Sequence, residues 1–488
     1  MNLADERLRE LDNPALTADE RALLRTQVAA DLIHKGRYED AREALGEHWQ
    51  GTGVRPSLAG LSEGTAAEML LQAGVLSGWL GKLKGVQDAA KDLLSESAAL
   101  FERVGEPDRA ATARAEIALC YWREGAYAEA RVMLAEAAAR IKDDASLKAK
   151  TVLRFAIVET SAGRYSNALQ LLTGAAQLFD ERISHTLRGS FHNELARVLR
   201  RLGAAERRQD YVDRAIIEYT AAIYHAEQAQ HESYLARIEN NLAFLLYTLG
   251  RYRDAHEHLD RAQTIFTRLR DSGSLAQVDE TRARVLIAER RYRDAERIVA
   301  GAVQVLEQGD EAALLAEALT VQGVVWARLW EYKRSITALR RAAELAEAAG
   351  ACASAGLAVV SLIEEHGGTG RLPSDEVYEA YLRADRLLKD TEDAEALARL
   401  RACARIVMKR LTTVQFEDKH FTLPSAVHQF EAKLIARALE ETGGSITKAA
   451  RLLGLTHQTL GSILQSRHKQ LWDKRKPPQK RLKSIIKK

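Results

Sequence analysis

The hexapeptide Gly250-Arg251-Tyr252-Arg253-Asp254-Ala255 decides the fold, because versions of it recur along the first four hundred residues. Full copies keep the glycine, the tyrosine two positions later and the alanine three positions after that, and they stand at 36–41, 125–130 and 163–168. Looser copies stand at 210–215, 291–295 and 331–335. The tyrosines at 252, 292 and 332 are 40 residues apart. A fixed period of this length indicates one structural unit repeated along the chain.

Helical patterns flank each copy. After Tyr252 the residues Ala255, Leu259, Ala262 and Phe266 form an i, i+4, i+7, i+11 apolar stripe, which is typical of an amphipathic helix. The glycine is expected to end the first helix, and the tyrosine to cover the turn into the second. One such pair cannot bury its apolar face alone, so pairs must stack. We predict an all-α fold with an α-solenoid over 1–412, clearest at 110–350.

Composition supports this prediction. The 488 residues contain only 7 prolines and 6% aromatic residues, and a chain dominated by alanine, leucine, arginine and glutamate favours helix. A further pair is expected between Tyr38 and Tyr127, with Ala90, Leu94 and Phe101 in its second helix. Residues 203–210 are expected to insert a polar, charged loop into the unit at 186–223.

The repeated phrase resembles the tetratricopeptide repeat, in a longer variety of about 40 residues. The resemblance covers roughly residues 20–350 and implies that the first helix of each pair lines a concave groove for a peptide, a protein or a second protomer. Asparagine amides there would hold a peptide backbone, and arginines would take a carboxylate. A solvated polar face is the alternative. The candidate groove residues are Asn193, Arg197, Arg200, Arg237, Asn240, Phe244, Tyr247, Glu280 and Arg284.

A different pattern begins after Leu411. Residues 413–422 are expected to form a linker, and Pro424 opens a helix that stops at Thr442-Gly443-Gly444, a strong helix-end signal. A short helix from Thr447 and a Gly454-Leu455 turn follow, and Thr456 caps the next helix. Two short helices joined by a glycine-containing turn make a helix-turn-helix, which we place at 423–472.

The segment from Gly444 to Leu455 resembles the Fis-type helix-turn-helix that ends bacterial enhancer-binding activators. The resemblance implies that the helix beginning at Thr456 enters the major groove of double-stranded DNA. Gln458 would pair with adenine. Modules of this family usually act as dimers, so a homodimer is among the expected partners. The candidate DNA-contacting residues of the module are Ser445, Thr447, Lys448, Thr456, His457, Gln458, Thr459 and Ser462.

Positive charge is concentrated at the C-terminus. The whole chain carries a net charge of +3, yet residues 467–488 hold ten lysines and arginines against one acidic residue. Pro477-Pro478 favours an extended backbone, so 473–488 is predicted to be a basic extended tail that follows DNA phosphates. A tail that serves only solubility is the alternative. The candidate phosphate contacts here are Arg467, His468, Lys469, Lys474, Arg475 and Lys476.

Other functional classes are excluded by what the sequence lacks. No GxxxxGK[ST], HExxH, GxSxG or GxGxxG motif is present, so we predict neither an enzyme nor a cofactor or metal site. The charged N-terminus and the absence of a long apolar stretch argue against secretion or a membrane partner. Three scattered cysteines fit a reducing compartment. The expected location is the cytoplasm, with the protein associated with the nucleoid.

These observations predict a bacterial, sequence-specific DNA-binding transcription regulator. Its α-solenoid would bind a regulatory peptide, protein or second protomer. The alternative is a tetratricopeptide scaffold or adaptor whose C-terminal module and basic tail bind protein or nucleic acid without sequence preference. Sequence-selective DNA binding distinguishes the two.

Overall fold

The structure is a computed structural model that describes residues 15–34, 37–81, 84–141, 144–309, 312–389, 391, 393–412 and 422–474. Within these residues the regular structure is entirely helical. The chain divides into two compact units, residues 1–409 and 410–488. None of the described helices is long and apolar enough to span a membrane.

In the described part of the chain, nine helical pairs and a single helix follow one another before the C-terminal module. Between them are short 3₁₀ segments at Gly46–His48 and Ala176–Leu178 and a π-helical turn at Ile363–Gly367. In chain order the helices are α1 (Ala18–His34), α2 (Tyr38–Leu45), α3 (Glu63–Leu80), α4 (Lys84–Arg103), α5 (Pro107–Arg123), α6 (Tyr127–Arg140), α7 (Ala145–Ser161), α8 (Tyr165–Gly174), α9 (His185–Glu206), α10 (Gln209–Gln228), α11 (Glu232–Thr248), α12 (Tyr252–Leu269), α13 (Ser272–Ala288), α14 (Tyr292–Glu307), α15 (Ala312–Arg328), α16 (Tyr332–Ala348), α17 (Cys352–Leu362), α18 (Ser374–Leu387), α19 (Ala394–Thr412), α20 (Leu423–Glu441), α21 (Ile446–Leu452) and α22 (His457–Ser466).

The repeated phrase lies at the turn inside a helical pair, as predicted. Gly250 follows α11 in the left-handed region with φ 72°, where a residue without a Cβ is least strained. Tyr252 then begins α12. Gly125 (φ 76°) and Gly163 (φ 77°) occupy the same position before α6 and α8. The first copy of the glycine, Gly36, lies outside the described residues.

Bulky residues hold this left-handed position in the looser copies. Arg290 (φ 62°) precedes α14, and Trp330 (φ 69°) precedes α16. A side chain in the left-handed region costs about 1–2 kcal/mol, since its Cβ crowds the following carbonyl. The backbone is therefore strained at Arg290 and Trp330, whereas the same conformation at Gly250 causes no such strain.

Arg290→Gly is expected to raise the free energy of unfolding by about 1 kcal/mol. Arg290 is exposed, so few contacts are lost. The matched variant Gly250→Ala is expected to lower the free energy of unfolding by a similar amount. The added Cβ would meet no atom within 4 Å, so only the cost of the left-handed backbone conformation remains. Chemical denaturation measures both variants. Shifts of the same sign would contradict the explanation.

Small and apolar side chains fill the interfaces between helices. The predicted stripe of Ala255, Leu259, Ala262 and Phe266 on α12 is fully buried, with at most 2% exposure. Ala90, Leu94 and Phe101 are also buried on α4. The additional pair expected between Tyr38 and Tyr127 is therefore present as α3 and α4.

The predicted loop at 203–210 is wrong. α9 continues through Gly203 to Glu206, and α10 begins at Gln209. A Cβ on Gly203 would lie 2.8 Å from Cγ2 of Val212 on α10, so this glycine permits a close helix approach. The helix ends instead at Arg207, which adopts the left-handed conformation with φ 54°.

The C-terminal unit has its own small core. Ile435 and Leu439 of α20 pack with Ala450 of α21 and with Leu460 and Leu464 of α22. A 3₁₀ segment at Lys469–Lys474 adds Leu471 to this cluster. The core holds the two short helices in a fixed arrangement.

Candidate nucleic-acid interface and solenoid cavity

Two capped helices and a tight turn form the helix-turn-helix. Gly443 (φ 60°) and Gly444 (φ 82°) end α20, and Gly454 (φ 68°) lies in the turn between α21 and α22. The Ser445 side chain accepts a hydrogen bond from the backbone N–H of Lys448 at 3.5 Å. The Thr456 hydroxyl accepts one from the backbone N–H of Thr459 at 3.1 Å. Both helix starts therefore have the side-chain caps that orphan N–H groups require.

The first turn of α22 presents two unengaged side chains. His457 and Gln458 are exposed, and neither has a hydrogen bond or ion pair within the part of the chain that the structure describes. The Thr456 and Thr459 hydroxyls are 2.7 Å apart and contact each other. These threonines thus hold the turn in shape, while the imidazole and the amide remain available to a ligand.

The remaining predicted residues of the module lie on its surface. Thr447, Lys448 and Ser462 are exposed, and Ser445 is half-buried. Gly461 leaves the middle of α22 without a side chain, and a Cβ there would meet no atom within 4 Å. Sequence reasoning missed Arg451, an exposed cation in the last turn of α21.

His468 is a correction to the predicted basic surface. Its side chain is fully buried, its Nε2 lies 3.0 Å from Oε2 of Glu431, and its ring lies 4.3 Å from that of His428 between centroids. A buried imidazole in a carboxylate contact has no surface left for a phosphate. The hydrogen bond from His468, with Arg467 nearby, lowers the pKa of Glu431.

Some of the predicted cations around His468 lie within the described residues, and others lie outside them. Arg467 is 62% exposed, with its Nη1 3.4 Å from Oε1 of Glu431, and Lys469 is exposed. Lys474 ends the 3₁₀ segment. Arg475 and Lys476 lie outside the described residues, as does most of the predicted tail. The predicted linker at 413–422 also lies outside them, except for Thr422.

One apolar face of α20 is exposed among the described residues. Leu423, Val427, Phe430 and Leu434 are 70%, 58%, 64% and 45% exposed. Their i, i+4, i+7, i+11 spacing places them on one side of the helix, and we refer to them as the α20 stripe. A contiguous exposed apolar patch on a small unit indicates an interaction surface.

A second candidate site is a cavity in the solenoid, which we call the central cavity. Its volume is about 360 Å³, and helices α9, α11, α13, α15, α17 and α19 contribute most of its lining. Three of these six helices, α9, α11 and α13, are the ones on which the groove was predicted, and each is the first member of its pair. Six of the nine predicted groove residues line it, namely Arg197, Arg200, Asn240, Phe244, Glu280 and Arg284.

Most arginines of the central cavity are already paired. Arg197 contacts Glu194 at 2.8 Å, Arg284 contacts Glu280 at 2.5 Å, and Arg201 contacts Asp393. Sequence reasoning missed Arg201 and Asp393, because the two are far apart in the chain and no local pattern joins them.

Arg200 differs from its neighbours. No ion pair to a carboxylate is present for it within the described residues, and its Cζ lies 4.9 Å from the centroid of the Phe244 ring. Burial is the main cause that lowers its pKa. Across the cavity, burial and the neighbouring Glu280 raise the pKa of Glu317. The Arg200 side chain also hydrogen-bonds to Tyr219, but no carboxylate among the described residues balances its charge, so it can bind a further anion.

Three predicted groove residues do not line the central cavity. Arg237 is exposed elsewhere, and Tyr247 packs against the core beside Phe244. Asn193 accepts a hydrogen bond from Nδ2 of Asn241 at 3.1 Å. The expected pair of free amides, Asn193 with Asn240, is therefore replaced by a contact between Asn193 and Asn241. Of the predicted pair, Asn240 lines the cavity, and its neighbour Asn241 lines it as well.

Comparison with known proteins identifies the class of the C-terminal unit. Residues 426–462 match the family described as "Bacterial regulatory protein, Fis family". This match covers α21 and parts of α20 and α22, so the predicted Fis-type helix-turn-helix is confirmed. The comparison with curated proteins found no match.

Several solved structures are similar to the chain at low sequence identity. The apo quorum sensor NprR from B. thuringiensis is 15% identical, with 70% of this chain and 92% of that chain covered and a TM-score of 0.48. A Rap protein complexed with Competence and Sporulation Factor is 17% identical, with 75% and 99% covered and a TM-score of 0.45. A Pyrococcus horikoshii STAND protein with a tetratricopeptide repeat sensor is 12% identical, with 82% and 57% covered and a TM-score of 0.46.

Proposed function

We propose that this chain is a sequence-specific DNA-binding transcription regulator controlled through its α-solenoid. The observation that carries the proposal is the exposed, unengaged pair His457 and Gln458 at the capped start of α22. In a helix-turn-helix, this end of the second helix contacts base edges in the major groove. The Fis-family match over the same residues supports the assignment.

Phosphate contacts would come from around this helix. Thr447 and Lys448 lie exposed at the start of α21, where backbone N–H groups and the helix dipole favour an anion. Arg451, Arg467 and Lys469 add exposed positive charge. The ten lysines and arginines of residues 467–488 supply the larger, salt-dependent part of the binding energy.

The α20 stripe would be the contact between two copies of the chain. A dimer places two recognition helices on two half-sites, and four exposed apolar side chains on one helix face form a self-complementary surface when two copies meet about a twofold axis.

Selection of bound DNA from a random pool tests the function directly. Full-length protein at about 150 mM salt is expected to enrich one motif with twofold symmetry. A chain ending at residue 412 is the control and should enrich none. Binding that fades with rising salt and shows no motif would overturn the proposal and favour the scaffold.

The solenoid would bind its regulator in the central cavity. The ligand would be a peptide or protein segment with a carboxylate for Arg200, because a charged hydrogen bond to a partly buried guanidinium is strong. Phe244 beside Arg200 would pack against an apolar residue of the ligand.

Arg200→Gln is expected to weaken such a peptide at least about tenfold, since a charge-assisted hydrogen bond contributes about 1.5–3 kcal/mol. The measurement is panning of a peptide library with free C-termini on full-length protein, followed by titration of enriched peptides. Arg290→Gln, an exposed arginine outside the cavity, is the matched control. Equal binding to the Arg200 and control variants would remove the assigned role.

A further inference from the structure

A second cavity lies near the beginning of the solenoid and shares no lining residue with the central cavity. Its volume is about 350 Å³, and it lies between α1, α3, α5 and α7, with Tyr38 from the start of α2 and Ser190 from α9. We call it the N-terminal cavity. Its chemically distinctive lining residues are Tyr38, Gln72, Trp79, Arg109, Lys150 and Arg154.

The lining carries more positive than negative charge. Glu116 is the one carboxylate among the described lining residues, against Arg109, Lys150 and Arg154. Arg154 is 8% exposed and pairs with Oε1 of Glu116, and Lys150 lies 3.9 Å from the same oxygen. Two cations therefore share one carboxylate. Arg109 pairs with Glu68, which lies outside the lining.

Buried hydrogen-bonding capacity is also unused here. Nη1 of Arg154 has no hydrogen-bond partner within the described part of the chain. Buried polar groups are normally paired, so an orphan of this kind needs an explanation such as an absent ligand. The neighbouring Arg154, together with burial, lowers the pKa of Lys150 to about 8. A bound anion would relieve this excess of positive charge.

One wall of the cavity is aromatic. Tyr38 and Trp79 stack with ring centroids 5.2 Å apart and an interplanar angle of 15°. The guanidinium of Arg123 lies over the Trp79 ring at 4.2 Å. A stacked aromatic pair thus stands beside a cluster of cations.

We propose that the N-terminal cavity binds a small organic phosphate that carries an aromatic ring, of which a nucleoside monophosphate is the simplest example. Lys150, Arg109 and Arg154 recognise the phosphate as charge-assisted donors. The ring packs against the Tyr38–Trp79 wall, with the Gln72 amide as a donor and acceptor for its polar edge. A volume of about 350 Å³ is near the lower end of small-molecule sites, about 300–1,000 Å³.

Isothermal titration calorimetry on the full-length protein tests this proposal. The probes are the four common nucleoside 5′-monophosphates, inorganic phosphate and the free nucleosides. At least one monophosphate is expected to bind, with phosphate alone and the matching nucleoside at least about tenfold weaker. Lys150→Gln and Arg109→Gln should each weaken the nucleotide at least about tenfold. Lys148→Gln, on the same helix but not lining the cavity, should bind as the unchanged protein does.

Three results would overturn the proposal. They are the absence of binding by all four monophosphates at about 1 mM, binding unchanged in both Lys150→Gln and Arg109→Gln, and phosphate alone binding as tightly as the nucleotide. Thermal unfolding verifies that each variant folds. Because Lys150 and Arg109 lie on different helices, one of the two variants still decides the outcome if the other misfolds.

Discussion

The double variant His457→Ala with Gln458→Ala is expected to lose base preference and to bind the selected DNA at least about 30-fold more weakly. Each good side-chain pairing with a base edge contributes about 1–3 kcal/mol of discrimination, and both side chains are exposed and unengaged in the first turn of α22. Thr456 still caps the helix, so the fold should persist. Affinity for unrelated DNA should stay unchanged, because phosphate contacts supply it.

Fluorescence anisotropy with the selected site and a scrambled site measures this difference. Gln465→Ala is the matched control, since Gln465 is an exposed amide near the other end of α22. If the double variant and the control distinguish the two sites equally well, α22 does not read the bases through its first turn.

For the dimer proposed above, Phe430→Asp is expected to leave the protein monomeric. A carboxylate in the middle of the α20 stripe would be buried without a partner in the interface, which is strongly unfavourable. Affinity for DNA with two half-sites should fall at least about 100-fold, since the second half-site is no longer held at a high effective concentration. Affinity for a single half-site should change little.

Sedimentation and DNA titration together measure this effect. Leu452→Asp provides the control, because Leu452 is 57% exposed on α21 and lies outside the stripe. If the dimer persists in Phe430→Asp, the contact between the two copies does not involve the α20 stripe. If Phe430→Asp and Leu452→Asp weaken dimerisation equally, the effect is a nonspecific response to the loss of exposed apolar surface.

Local signals in the sequence predict the helices and their turns well. A glycine, a tyrosine and an alanine at fixed spacing mark the turn inside a pair, because backbone conformation and close packing are both local requirements. The failure at 203–210 has the opposite origin. Gly203 is needed for contact with Val212, and Arg207 ends α9 without any residue type that signals a helix end.

Which side of a helix is covered cannot be predicted from its pattern alone. α20 has apolar residues on more than one face, and only its packing against α21 and α22 shows that Ile435 is buried and Phe430 exposed. The burial of His468 has the same cause. A histidine inside a run of cations indicates a basic surface, until the Lys469–Lys474 segment folds back against α20.

The central cavity was predicted only in part for a related reason. Period and alignment identify the first helices of the pairs, so six of the nine candidate residues reach it. Ion pairs such as Arg201 with Asp393 depend on contacts between distant units. These ion pairs determine which guanidinium is left without a carboxylate partner among the described residues. The spacing of residues in the sequence does not show which arginine this is.

Helix α9 has a thermodynamic consequence for control of the protein. It contributes Ser190 to the N-terminal cavity and Arg197, Arg200 and Arg201 to the central cavity. Seven residues along a helix span about 10 Å, so one continuous helix borders both cavities. A ligand that displaces α9 changes the affinity of the other cavity, and the coupling is equal in both directions. Two chemically different signals, one anionic and small and one a peptide, would then be combined before either affects transcription.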